Sequence, residues 1–151
     1  MSKISIIYDK LREIIPTILV GRTELPNPYS LINNPSIFLK KGWGLAVSEG
    51  VKSEIETYCH DFETRTFTIV ITDHLASLNN SHEAMAVKTK DILEEIRSVK
   101  NRFLAFDQIT IDDSIEKIEF ESCSGLEFLA SNDVSYLVAS ITIAIDFSEI
   151  I

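Results

Sequence analysis

Residues 134–147 alternate regularly between two sets of side chains, and this alternation limits the possible folds of the chain. The first set is entirely apolar and contains Leu137, Ala139, Ile141, Ile143, Ile145 and Phe147. The second set is mixed and contains Tyr136, Val138, Ser140, Thr142, Ala144 and Asp146. A period of two places successive side chains on opposite faces of a β-strand. We therefore expect a long strand with one face buried in a core.

A second strand of the same kind is predicted at residues 62–72. Phe67, Ile69 and Ile71 point to one side, and the other side carries Thr64, Thr66, Thr68 and Thr72. Its β-branched composition and its length are typical of a long antiparallel strand. Shorter strands are predicted at residues 37–39, at 43–51 with Trp43 on the buried side, and around Ile118 and Phe120. Residues 122–133 are predicted to be a turn region.

Two helices are predicted from apolar residues at helical spacing. The first covers residues 2–15 and ends before Pro16, which lacks an N–H donor and disfavours helical geometry in the preceding residue. The second covers residues 81–100, with Asn80 as its N-cap and Glu83 completing a capping box. Its C-terminal end carries Arg97, Lys100 and Arg102, where the helix dipole favours positive charge. The two stripes are Ile4, Ile7, Leu11, Ile14 and Ile18, and then Met85, Ile92, Ile96 and Val99.

The sequence therefore predicts one α+β domain spanning residues 1–151. A mostly antiparallel sheet of about five strands would carry the N-terminal helix and the central helix on one face. Residues 21–44 are predicted to be irregular, and the part at 21–36 combines Pro and Asn with apolar side chains. A long apolar loop is unusual, so we expect it to pack on its own domain or on a neighbouring subunit.

The charge balance argues against several classes of function. There are 23 Asp and Glu against 14 Lys and Arg, a net charge of −9 at pH 7. No cluster of basic residues that could bind nucleic acid or an anionic membrane is visible.

No run approaches the roughly 20 apolar residues of a membrane helix, and the N-terminal apolar stretch is too short for a signal peptide.

The sequence shows no catalytic arrangement. The one cluster that suggests a metal is Cys59 and His60 with His74 and His82, but adjacent residues of a strand point to opposite faces, and zinc needs about four converging ligands. Cys123 precedes a turn but no helix that would lower its pKa. Glu119 and Glu121 would share a strand face about 7 Å apart, which is typical of a solvated surface. We expect no enzyme activity, no cofactor and no metal.

The order of elements resembles the tail terminator, or tail completion, proteins of long-tailed bacteriophages. The resemblance covers residues 4–147 and depends on the isoleucine stripe of the first helix, the strand at 67–71, the helix at 80–100 and the final strand at 140–147. It implies a ring, usually hexameric, that caps the tail tube and joins it to the head connector while DNA passes through an acidic channel. Its implied partners are further copies of the chain, the tail tube protein and the head–tail connector protein. The resemblance implies no catalytic residues, no cofactor and no membrane, and a virion protein made in the host cytoplasm. Residues 21–35 match no recognisable signature of that family.

Two sets of residues are candidates for these roles. The subunit-interface candidates are Leu25, Pro26, Pro28, Tyr29, Leu31 and Trp43, although Trp43 fits the core equally well. The channel-facing acidic candidates are Glu119, Glu121 and Asp146. The alternatives are an intracellular α+β ligand-binding module or small enzyme with a pocket between sheet and helices, and a monomeric regulatory or toxin-immunity protein. The sequence leaves open the ring size, the phage type, the oligomeric state in solution and the station on the virion, whether terminator or a neighbouring neck or tube protein.

Overall fold

The computed structural model describes residues 2–25, 41–57, 60–75, 82–104, 112–123, 127–131 and 134–150. They form an α+β fold, as the sequence predicts, with a mostly antiparallel sheet and two helices. The elements, in chain order, are α1 (Lys3–Ile18), β1 (Thr23–Glu24), β2 (Gly42–Thr57), β3 (His60–Leu75), α2 (His82–Leu104), β4 (Ile115–Cys123), β5 (Glu127–Ser131) and β6 (Val134–Ile150).

The sheet is built around the pairing of β3 with β6. Its strand order is β1-β2-β3-β6-β4, and β5 also pairs with β6. The β3–β6 register runs without a shift from His60↔Ile150 to Leu75↔Ser135. Because β3 occupies one edge of β6, β4 and β5 share the other edge and pair with its C-terminal and N-terminal parts in turn. β1 is the exception to the antiparallel pattern, since it pairs in parallel with the start of β2.

The core lies between the helices and one face of the sheet. Both helices contribute fully buried residues to it, including Leu11 from α1 and Ile92 from α2. The predicted core faces of β3 and β6 are confirmed, because every member of both apolar sets is buried. The sheet residues of this cluster are Trp43, Leu45, Phe67, Ile69, Ile71, Ile115, Ile118, Leu137, Ala139, Ile141, Ile143, Ile145 and Phe147.

The end of α1 differs from the prediction. Ser2 caps the helix by accepting a hydrogen bond from the N–H of Ser5, but the helix continues through Pro16 to Ile18. Pro16 lies in the last turn, where it removes one donor only. The N–H of Leu19 still bonds the carbonyl of Ile15 at 2.8 Å. Ile15 and Leu19 are both fully buried. Burial of these two apolar side chains stabilises the end of the helix by more than the lost hydrogen bond costs.

Other boundaries also differ from the predictions. The stretch predicted to be irregular contains β1 and the start of β2, α2 extends past Lys100 to Leu104, and the predicted turn region contains β5. β2 was expected to bury one face, but Ala46, on the face away from the helices, is buried as well. The predicted strand at residues 37–39 and the Asn80 cap lie outside the described residues. No helix in the described part of the chain is long and apolar enough to cross a membrane.

Candidate functional site

The sheet face opposite the helices carries short hydroxylated side chains and charged groups, and we call it the polar face. On β3 and β6, cross-strand pairs such as Thr68↔Thr142 and Thr64↔Asp146 define it. The hydroxyl oxygens of Thr68 and Thr142 lie 3.3 Å apart. These side chains are half-buried, and the buried apolar residues Ala46, Val70, Val138 and Ala144 lie on the same face. The polar face comprises Thr64, Thr66, Thr68, Lys117, Glu119, Ser140, Thr142 and Asp146.

Two of the three predicted channel-facing acids lie on the polar face and belong to one charged cluster. Lys117 is the cross-strand partner of Asp146, and its ammonium forms an ion pair with the Glu119 carboxylate. The hydrogen bond and charge of Glu119, with a further contribution from Asp146, raise the pKa of Lys117 above its usual value. The Thr64 hydroxyl donates to Asp146 at 2.6 Å. The acids are therefore partly neutralised where they lie.

Glu121 does not occupy the position that alternation predicts. The β4–β6 register shifts between Phe120 and Ser122, so Glu121 is the extra residue of a β-bulge. A bulge redirects the side chain of its extra residue. The prediction that Glu119 and Glu121 share one regular strand face is therefore wrong. Glu121 remains exposed at the sheet edge.

The predicted interface residues fall into two groups. Leu25 and Trp43 are buried within the subunit, with 4% and 1% of their surfaces exposed. Trp43 belongs to the core cluster, which favours the core alternative for this residue. The other four, Pro26, Pro28, Tyr29 and Leu31, lie outside the described residues. Their place at an interface stays a prediction.

A buried ionic cluster was missed by the sequence analysis. The Arg22 side chain is fully buried and contacts Glu95 of α2 and Asp73 of β3. Lys88 of α2 also reaches Asp73, at 3.4 Å. The available signal was helical spacing, because Lys88, Ile92, Glu95 and Val99 lie on one face of α2. Charged residues within an apolar stripe indicate a buried pair, but the spacing did not identify Arg22 as the partner.

The described side chains offer little for metal or nucleophilic chemistry. Within the described residues, no group of three or more His, Cys, Asp or Glu side chains is arranged to hold a metal ion. Desolvation raises the pKa of the Cys123 thiol, which disfavours the thiolate that a nucleophile requires. Cys59 lies outside the described residues.

No known family or curated relative was found for this chain: it matches no protein-family model, and a search of curated proteins found no match.

Proposed function

We propose that this protein is a structural subunit of a bacteriophage virion, a tail terminator that assembles into a closed ring, caps the tail tube and joins it to the head connector. The observation that carries the proposal is the polar face, which turns hydroxyl and acidic groups away from the helices. In the ring, this face lines the lumen and the helices lie outside. The proposal extends the resemblance in element order between this chain and tail terminators.

The chemistry of the polar face suits a surface past which DNA moves without being held. Phosphate binding requires free Lys or Arg donors, and the ammonium of Lys117 is engaged by Glu119. Thr68 and Thr142 offer neutral hydroxyls to a passing backbone. The carboxylates of Glu119 and Asp146 oppose close approach of phosphate. The result is weak, sequence-independent contact.

The proposed subunit contact involves the segment that follows β1 at the edge of the sheet. β1 is an edge strand, and Leu25, directly after it, is packed into the subunit. Pro26, Pro28, Tyr29 and Leu31 follow at once in the sequence, and they are the residues proposed for the contact with the next subunit. A contact between two different patches repeats around an axis and closes into a ring when the rotation fits. Aromatic anchors such as Tyr29 dominate the energy of such contacts.

Electron microscopy of tails made with and without the protein tests this proposal. Tails lacking it are expected to vary in length and to fail to join heads. The double variant Tyr29→Ser with Leu31→Ser is expected to keep the circular dichroism of the wild type and to lose assembly. The matched control Val87→Ser with Leu93→Ser changes two exposed apolar residues of α2 and is expected to assemble normally.

Two results would contradict the proposal. The first is a set of tails of normal length, joined to heads, in the absence of the protein. The second is a protein that stays monomeric at high concentration and on purified tail tubes. Saturable binding of a small molecule by that monomer would support the alternative of a ligand-binding module.

A further inference from the structure

Arg22 is the centre of a buried cluster of side-chain hydrogen bonds. Its guanidinium donates two parallel hydrogen bonds to Glu95, from Nε to Oε2 at 2.5 Å and from Nη2 to Oε1 at 2.7 Å. Nη1 donates to the carbonyl oxygen of Thr72 at 2.6 Å, and Nη2 reaches Oδ2 of Asp73 at 3.4 Å. Planar, bidentate binding of this kind is specific to arginine.

The cluster joins three elements through one side chain. Arg22 lies in the turn between α1 and β1, Thr72 and Asp73 lie near the end of β3, and Glu95 lies on α2. Burial lowers the pKa of Arg22, but the hydrogen bonds and charges of Glu95 and Asp73 more than compensate and raise it above its usual value. The guanidinium of Arg22, a group that stays protonated in proteins, therefore remains charged although it is buried.

β1 follows Arg22 directly and has only 2 residues. The N–H of Thr23 donates to the carbonyl oxygen of Lys41 at 3.1 Å. The N–H of Leu25 donates to the carbonyl oxygen of Trp43 at 2.7 Å. So short a strand has little intrinsic preference for its register. A nearby constraint is needed to hold it in parallel alignment with Gly42 and Trp43.

We propose that Arg22 is a buried latch that holds β1 in register on β2, and that its release opens β1 as a separate local unit while β2, β3 and β6 stay paired. A buried ion pair adds little net stability compared with apolar residues of the same size, but it can fix one arrangement among several. Local opening of a structural unit at a free energy below that of global unfolding is common in proteins. The inference does not depend on the proposed virion role.

A second arginine–carboxylate pair, which joins α1 to β1, provides a control. Arg12 of α1 also donates two hydrogen bonds to one carboxylate, Glu24, at 2.7 and 3.2 Å. This pair is exposed, with 44% and 41% of its two side chains accessible. Exposed pairs contribute little. Arg12 therefore bonds β1 directly at an exposed site, whereas Arg22 directly precedes β1 and bonds α2 and β3 at a buried site.

Native-state amide hydrogen exchange, read residue by residue by NMR, tests the latch. In Arg22→Met, exchange at Thr23 and Leu25 is expected to accelerate about tenfold or more, since a buried charged hydrogen-bond network is lost. Exchange at Phe67 and Ile143 is expected to change less than about threefold. Arg12→Met is expected to change all four amides by less than about threefold.

Two outcomes overturn the latch. If all four amides accelerate together in Arg22→Met, Arg22 contributes to global stability only. If Thr23 and Leu25 keep wild-type exchange, β1 is held by other contacts. Should Arg22→Met fail to fold, Glu95→Gln, which preserves side-chain size, carries the same test. Selective acceleration at Thr23 and Leu25 in Glu95→Gln then supports the latch, and wild-type or uniformly accelerated exchange refutes it.

Discussion

A Cβ atom on Gly42 would lie 2.8 Å from Cδ2 of Leu25. It would also lie 3.0 Å from the carbonyl oxygen of Thr23. The missing side chain of Gly42 thus lets β1 approach β2 closely and leaves space for the side chain of Leu25 beside Gly42. A small residue is required here by space, because the backbone of the neighbouring strand cannot move away cheaply.

Gly42→Ala is expected to lower the free energy of unfolding by about 1–3 kcal/mol, because the added methyl group must displace Leu25 or the backbone of Thr23. Urea titration followed by circular dichroism measures the loss. Gly21 is an informative comparison, since its φ is +84° and nothing lies within 4 Å of an added Cβ. Gly21→Asn, which tolerates this conformation, is expected to be milder than Gly21→Ala. Gly42→Asn is expected to be worse than Gly42→Ala. The reverse order at either position would contradict this explanation.

Ile143→Ala is expected to destabilise the protein by about 2–5 kcal/mol, since it leaves a cavity in a well-packed core. Ile143 is fully buried and lies between Phe67 on β3 and Phe120 on β4. Chemical denaturation gives the free energy. Leu93→Ala, at a residue that is 54% exposed, is expected to change it by less than about 0.5 kcal/mol. A loss below about 0.5 kcal/mol for Ile143→Ala would be incompatible with the observed face of β6.

Asp112→Asn is expected to lower the free energy of unfolding by about 1 kcal/mol at neutral pH. The reason is that the charged Asp112 carboxylate accepts hydrogen bonds from Ser114, the residue directly before β4. Its Oδ2 accepts from the N–H of Ser114 at 3.1 Å and also from the Ser114 hydroxyl. Lys3 of α1 lies 3.4 Å away. Burial raises the pKa of Asp112, but the bonds from Ser114 and the charge of Lys3 outweigh it and hold that pKa below its usual value of 3.8.

The direction of this shift fixes the pH dependence. A carboxyl group whose folded pKa is lowered stabilises the protein above its unfolded pKa and loses that contribution as the pH falls through the folded pKa. The difference between wild type and Asp112→Asn is therefore expected to be constant above about pH 5 and to shrink as the pH falls through the lowered folded pKa of Asp112. Thermal unfolding at a series of pH values measures it. Asp113→Asn, at a side chain that is 84% exposed, serves as the control and is expected to show no such trend.

If the polar face lines the lumen of the proposed ring, Glu119→Lys combined with Glu121→Lys is expected to leave folding intact and to impair passage of DNA, because both side chains are exposed and the new ammonium groups bind phosphate. The readouts are the thermal unfolding midpoint and the infectivity of virions carrying the variant. The control exchanges the charges of one pair, Lys117→Glu with Glu119→Lys, and keeps the net charge of the polar face. Equal infectivity of the two variants would contradict the proposal that the polar face lines the lumen.

The sequence predicted those parts of the fold that repeat over many residues. Ile141, Ile143 and Ile145 were assigned to the core because a period of two persists over the whole of β6. β1 was missed, since 2 residues are too few to show a period. The end of α1 differs from the prediction because the buried Ile15 and Leu19 override the local preference of Pro16.

Site residues were harder to predict than core residues. Glu119 and Asp146 were correctly placed on the strand surface, but the bulge that displaces Glu121 depends on pairing with β6. Arg22 was missed because its partners Asp73 and Glu95 lie 51 and 73 positions away in the sequence. No spacing rule connects residues that the tertiary fold alone brings together.

The central pairing of β3 with β6 has a consequence for synthesis on the ribosome. Thr64 and Asp146 share a hydrogen bond although 82 positions separate them. The nascent chain therefore leaves one edge of β3, including the backbone of Phe67 and Ile69, without its partner strand until β6 has been translated. Contacts between such distant segments slow folding, and a strand whose edge has no partner is prone to aggregation. Translation arrested before Val134 is thus expected to yield a fragment that requires a chaperone to stay in solution.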